Sequence, residues 1–310
     1  MSDERRGVLL GVAAYLCWGL FPLYWPLLKP ASALEILSHR VVWSLAFVVL
    51  LLLVRREWAW LPAIIHDRRR LLILSVASTV IAVNWGVYIW GVNNGHVVET
   101  ALGYFINPLV TVLMGVVLLG ERLRRAQWAA VGLGALAVLA LSVDFGRPPW
   151  IALTLAFSFA TYGLMKKKVA MPALQSLTVE TTLLFVPALA VLAVMEARGT
   201  AAFGRAPAHV TVLLACAGVV TAVPLLLFGA AARRVPLSTM GLLQYLTPMM
   251  QFILGLVVFH EAMPASRWAG FALVWAALGV FSMDSLRHAQ AQYRAADDAA
   301  TQSALTPEAH

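Results

Sequence analysis

Ten times along this chain of 310 residues, a run of mostly apolar residues holds at most one charged side chain. The runs are 8–27, 36–54, 71–91, 99–119, 126–143, 150–165, 177–195, 210–230, 238–259 and 268–285. A helix needs about 20 such residues to cross a hydrocarbon layer about 30 Å thick. Within that layer no water can satisfy the backbone, so each run has to satisfy its own hydrogen bonds as a helix. The sequence therefore predicts an all-α polytopic membrane protein of ten transmembrane helices, the sixth being short. With 61% hydrophobic and 12% charged residues, nothing is left over for a sizeable soluble domain. The remaining polar pieces are 55–70, 196–209 and an Ala/Gln/Asp-rich tail, 286–310, expected to lie in the cytoplasm largely without order. Arg5 and Arg6 before an apolar run resemble a signal peptide. The run continues through Trp18, Phe21 and Trp25 with no cleavage pattern, so it reads as an uncleaved first span. Cys17 and Cys216 both fall inside spans and suggest neither a disulfide nor a metal site.

The net charge of +8 is a matter of placement and not of a nucleic-acid surface. With the N-terminus inside, the inner gaps hold Arg5, Arg6, Arg55, Arg56, Arg68–Arg70, Arg122, Arg124, Arg125, Lys166–Lys168, Arg233, Arg234, Arg287 and Arg294, seventeen cations. The outer gaps hold five: Lys29, Arg147, Arg198, Arg205 and Arg267. Arg40 alone lies within a span. This positive-inside bias predicts that both termini are cytoplasmic.

The chain also repeats itself. Shifted by 140 residues, 101–144 falls on 241–284 without a gap, matching Pro108 to Pro248, Gly115 to Gly255, Glu121 to Glu261, Trp128 to Trp268 and Asp144 to Asp284. Two units follow, 1–144 and 150–285, each of five spans. Five is odd, so the second unit enters the membrane in the opposite sense. The charges agree: Arg122, Arg124 and Arg125 correspond to Ala262, Pro264 and Ala265 in the copy that faces outward. Inverted repeats with interrupted helices are the architecture of alternating-access carriers, whose substrate binds near the midplane between the units.

The segment GYFINPLV (103–110) followed by LLGERLRRAQWAAV, with the later TP…HE…RWAGF, resembles the EamA repeats of the drug/metabolite transporter superfamily. EILSHRVVWS (35–44), NWGVYIWGVNNGHVVETALGYFINPL (84–109) and FSFATYGLMKKK (157–168) are most similar to the RarD-type permeases. The resemblance covers about 7–285. It implies two inverted five-helix units, carriage of a small metabolite, and a cavity between spans 1, 3 and 4 of one unit and 6, 8 and 9 of the other. It does not name a substrate.

Intramembrane polar groups are costly and face a cavity or a neighbouring helix. Pro108 and Pro248 sit at symmetric positions and each frees a carbonyl four residues earlier, at Tyr104 and Gln244. They read as helix breaks or hinges beside a cavity, or as passive kinks. Asn84, Trp85 and Tyr88 on span 3, Asn107 beside Pro108, Tyr15 and Trp18 on span 1, Tyr162 on span 6, and Gln244, Tyr245 and Gln251 on span 9 complete the candidate lining. Trp18-Gly19 and Tyr162-Gly163 read as matching points of close backbone approach. For each of these groups the plain alternative is packing with an interhelical hydrogen bond. The set favours an amphipathic, amino-acid-like or aromatic metabolite over an inorganic ion.

Arg40, about four residues into span 2, either holds a substrate carboxylate or serves structure. Glu180 is similarly placed in span 7 but enters from the opposite face, so the two are not expected to pair. As a carboxylate more than about one turn inside a span, Glu180 is the candidate for proton coupling, or else an interfacial helix-start residue. His39, His96 and His260 read as interfacial. No catalytic triad order, metal-ligand spacing or phosphate-cradling loop is present, so neither an enzyme nor a cofactor is expected. The expected partners are a small-molecule substrate and the lipid bilayer of a bacterial-type inner membrane, with no nucleic acid. The expected state is a monomer or homodimer.

Overall fold

The computed structural model describes residues 3–120, 122–169, 171–232, 234–235 and 237–305. Glu121, matched by the repeat to Glu261, lies outside the described residues. Thirteen α-helices follow one another, with no strand among the described residues. α1 (Asp3–Gly19) continues through α2 (Phe21–Tyr24) and a short 3-10 turn, Trp25–Leu28. Then come α3 (Ala33–Arg55), α4 (Leu61–Ile65), α5 (Arg68–Asn93), α6 (Val97–Leu119) and α7 (Arg125–Phe145). The second half holds α8 (Trp150–Val169), α9 (Ala173–Ala197), α10 (Ala208–Ala232), α11 (Leu237–Leu243), α12 (Leu246–Val257) and α13 (Ala265–Leu305).

Local chemistry sets the ends. Ser32 accepts from the Glu35 N–H at 3.2 Å and starts α3. Asp67 accepts from the Arg70 N–H at 3.0 Å and starts α5. Gly120 and Gly146, with φ of 67° and 63°, take the left-handed conformation that closes α6 and α7.

Among the described residues, eight helical segments are long and apolar enough to cross a membrane. The other two expected spans fall on shapes that length and hydropathy alone do not qualify. α8 carries Ser158, Thr161 and Tyr162 and ends in Lys166, Lys167 and Lys168. The ninth span is broken into α11 and α12. Large apolar side chains such as Leu50, Val54, Val117, Val143 and Val186 are exposed around the outside, as a bilayer requires.

The most extensive packings all run between the two halves of the chain: α7 with α13, α6 with α8 and α12, α5 with α8 and α9, α3 with α9 and α10, and α1 with α10 and α12. Counting α11 and α12 as one span, exchanging each span with the one five places on maps this set of pairs onto itself. The halves interleave and neither is a separate body. Reciprocal ion pairs fasten α7 to α13 at both ends. Arg124 Nε donates to Asp284 at 2.8 Å, and Arg267 Nε donates to Asp144 at 2.8 Å. Glycine lets the α6–α8 pair close: a Cβ at Gly103 would lie 2.8 Å from the Ala152 carbonyl oxygen.

Candidate functional site

Because Ser32 starts α3 at Ala33, Arg40 is the eighth residue of the helix, about 10 Å along it. That is deeper than the span limits implied. Arg40 is 3% exposed, its guanidinium carbon 3.9 Å from the ring centre of Trp85, 5.3 Å from Trp25 and 5.6 Å from Phe21. Its Nε has no hydrogen-bond partner, and none of the ion pairs among the described residues includes it. Each ring contact is worth about 0.5–2 kcal/mol. Removing a guanidinium from water costs several kcal/mol, and three rings return about 1.5–6 kcal/mol of it while leaving the N–H donors unmet. Glu35 on the same helix forms no ion pair with it: its Oε1 accepts from the Ala202 and Phe203 N–H groups at 2.7 and 3.0 Å, and its buried Oε2 has no hydrogen-bond partner. Two more buried donors nearby are unmet, Trp25 Nε1 and the Tyr88 hydroxyl.

Beside this box runs a polar seam between α5, α6 and α8. Asn84 Nδ2 donates to the Leu155 carbonyl and the Ser158 hydroxyl, both at 3.0 Å. The Tyr104 hydroxyl donates to Asn84 Oδ1 at 3.2 Å, and the Tyr104 ring stands edge-on to Tyr88 with centroids 5.7 Å apart. Arg40, Asn84, Trp85, Tyr88 and Tyr104 are thus brought together.

The two residues that precede the matched prolines behave alike. Asn107 Nδ2 donates to the Ala156 carbonyl on α8 at 3.2 Å, and Thr247 Oγ1 donates to the Tyr15 carbonyl on α1 at 2.8 Å. Each pins its helix to the first helix of the other half. The prolines themselves differ: α6 stays helical through Pro108, whereas the second copy breaks at Gln244 and Tyr245, just ahead of Pro248.

Tyr15, Trp18 and Gln251 form a second group. Gln251 is 1% exposed and donates to the Trp18 carbonyl at 3.2 Å, leaving its Oε1 unmet. The rings of Tyr15 and Trp18 are 5.4 Å apart and both meet Phe228. Gln244 is exposed, and Tyr245 packs against the cluster of Phe105, Phe252 and Phe271, so neither joins these groups. Gly19 abuts Met250, whereas a Cβ at Gly163 would meet nothing within 4 Å, so the two glycines are not equivalent.

Glu180 is the eighth residue of α9, the counterpart of Arg40 in α3. It accepts from Lys166 Nζ at 2.8 Å, Ser176 Oγ at 2.6 Å and the Tyr162 hydroxyl at 3.1 Å, and does not pair with Arg40. His39 is not at an interface: it is 5% exposed and stacked on Phe203 with centroids 4.5 Å apart. The sequence reading also passed over Trp25, Glu35, Ser158, Thr247 and Lys166.

A charged pocket of about 350 Å³ lies where α6, α7 and the approach to α13 meet. Arg147 pairs with Glu99 through two hydrogen bonds of 3.2 and 2.8 Å, and Glu99 also accepts from the Ile151 N–H. Glu261 accepts from the N–H groups of Val97 and Val98 at the start of α6. Burial pushes the Glu261 carboxyl above its ordinary range, against the opposing pull of those donors and Arg267.

A model described as the EamA-like transporter family matches residues 5–143. The protein named RarD of Streptomyces exfoliatus is 56% identical over 306 residues, covering 99% of this chain and 97% of that protein. RarD of Escherichia coli K12 is 44% identical, covering 92% and 96%. An uncharacterized transporter of Vibrio cholerae is 42% identical, covering 95% and 97%. A solved crystal structure shares the fold at 17% identity with a TM-score of 0.57, covering 89% of this chain and 97% of that one.

Proposed function

The chain belongs to the EamA-like transporter family as a RarD-type permease, and on that premise we propose that it exports a small organic metabolite by alternating access. The cargo is amino-acid-like, or aromatic and amphipathic. The observation that carries this reading is the concentration of buried polar and aromatic groups where helices of the two halves cross. Arg40, Trp85, Tyr88 and Tyr104 form one group, beside α8, and Tyr15, Trp18 and Gln251 form another between α1 and α12. Groups with unmet hydrogen bonds belong in such a path, because a membrane helix otherwise satisfies or excludes them. The seventeen-to-five cation bias supports a protein with both termini in the cytoplasm of a bacterial cell. The break ahead of Pro248 is the hinge of this reading, and the Lys166–Glu180 pair its proton-coupling element. A second reading, a non-transporting membrane component of the same fold, draws on one observation. Asn84, Asn107 and Thr247 spend their donors on neighbouring helices.

Sealed proteoliposomes given a panel of amino acids and aromatic metabolites, with and without a pH gradient, test the proposal. At least one compound is expected to cross on the wild type and to cross more slowly on Trp85→Ala. Failure of the whole panel, or an unaffected Trp85→Ala protein, removes the cargo class or the site. Glu180→Gln is expected to abolish gradient-driven accumulation while leaving downhill flux. Accumulation that survives excludes Glu180 as the coupler.

A further inference from the structure

We propose, resting on the permease reading, that Arg40, Trp25 and Tyr88 form an oxyanion site, and that the carried metabolite presents a carboxylate to it. The guanidinium carbon lies 3.9 Å over the Trp85 ring, a contact that engages the cation without using its N–H donors. The donor at Nε is unmet, and the buried Trp25 Nε1 and Tyr88 hydroxyl are unmet as well. The Trp25 ring stands 5.3 Å from the guanidinium, and Tyr88 lies one turn along α5 from Trp85, whose ring is 3.9 Å from it. Arginine and the indole N–H donate and never accept, so the group that matches them is an acceptor carrying negative charge. A carboxylate meets a guanidinium with two parallel hydrogen bonds.

None of the protein's own buried carboxylates forms an ion pair with Arg40. Glu99 pairs with Arg147 and Glu180 with Lys166, while Glu35 accepts from Ala202 and Phe203 through Oε1 and leaves Oε2 unmet. The comparison with Glu180 is the sharpest, since both residues are eighth in matched helices. The second half neutralises its buried charge internally, with Lys166, Ser176 and Tyr162 all bonded to one carboxylate. The first half surrounds its charge with rings instead. A purely structural arginine would have a counter-charge, as that glutamate does. The aromatic walls also suit a cargo whose carboxylate is attached to an apolar or ring-bearing body.

The test uses the full chain in nanodiscs of zwitterionic lipid, with three probes that share one ring: phenylacetate, phenylacetamide and phenethylamine. Binding is read by tryptophan fluorescence and by thermal shift. Phenylacetate is expected to bind at least about tenfold more tightly than the amide or the amine. Arg40→Gln erases that preference, and Arg40→Lys keeps part of it. Tyr88→Phe deletes one donor, keeps the ring, and weakens phenylacetate alone by about three- to tenfold. It serves as the second variant if Arg40→Gln does not fold. Equal binding of all three probes, no binding of phenylacetate at millimolar concentration, or a preference that survives both Arg40→Gln and Tyr88→Phe overturns the site. Loss of phenylacetate binding in phosphatidylglycerol nanodiscs would assign the oxyanion to a lipid headgroup and overturn the cargo assignment. Transport without carboxylate preference sinks the site and spares the permease reading. Carboxylate-selective binding without translocation does the reverse.

Discussion

Replacing Gly103 with alanine adds one methyl group where α6 and α8 touch backbone to backbone. The new Cβ would lie 2.8 Å from the Ala152 carbonyl oxygen, 2.8 Å from Leu155 Cβ and 3.0 Å from Ala152 Cα. Ordinary contact begins at 3.4 Å, so the helices must part by about 0.6 Å, and two of the three obstacles are backbone atoms that cannot rotate away. Overpacking of this kind costs about 1–3 kcal/mol. Alanine also gains about 0.8–1 kcal/mol of helix propensity over glycine, which would blur the result. Gly163→Ala removes that ambiguity, because Gly163 is a helical glycine on α8 with nothing within 4 Å of its would-be Cβ. The difference between the two variants isolates the packing cost. Unfolding in mixed micelles, titrated with SDS and followed by far-ultraviolet circular dichroism, should place Gly103→Ala below Gly163→Ala by about 1–3 kcal/mol. The hydrogen bonds from Asn84 and Asn107 cross the same seam and should loosen with it. A Gly103→Ala protein as stable as Gly163→Ala would refute the close α6–α8 approach.

The reciprocal ion pairs should not be equal. Asp144 is 5% exposed and its partner Arg267 19%, so Asp144→Asn is expected to cost about 1–3 kcal/mol in the same unfolding assay. Asp284→Asn, whose partner Arg124 is 38% exposed, should cost less than about 1 kcal/mol, and the reverse order would contradict the packing of these ends. Glu261 makes a prediction about pH. Its raised pKa means the folded chain holds that proton more tightly than the unfolded one, so its contribution to stability is full at acid pH. That contribution falls as pH rises through the ordinary carboxylate range and past the raised value. Thermal unfolding of wild type and Glu261→Gln across acid to neutral pH should therefore shift progressively in favour of the variant, and parallel curves would contradict the burial of Glu261.

Much of the architecture was legible because hydrocarbon imposes a length and a composition on each span. The matched prolines, tryptophans and aspartates marked the duplication before any coordinate did. The start of α3 is legible as well. Ser32-Ala33-Leu34-Glu35 has the serine-to-glutamate spacing of a helix start, and that start sets Arg40 at its observed depth. Other features depend on partners distant in sequence. His39 reads as interfacial until Phe203, from a loop far along the chain, covers it. The partner of Glu180 is hidden because Lys166 opens a lysine run that reads only as an orientation signal. Asn107 and Thr247 looked like different residue types at one repeat position. Their shared task, binding a carbonyl on the first helix of the other half, emerges only once the halves interleave. Nor do equal repeat positions guarantee equal backbone, since Pro108 leaves α6 continuous and Pro248 follows a break.

Alternating access can be tested without knowing the cargo. Cys17 and Cys216 are free, so both are replaced by serine and a single cysteine is introduced by Asn107→Cys. The protein is then reconstituted into sealed proteoliposomes and exposed to a membrane-impermeant maleimide from the outside alone or from the lumen alone. A permease whose path passes between the halves should be labelled from either side. Labelling from neither side, or from one side only, would contradict alternating access and favour a non-transporting component.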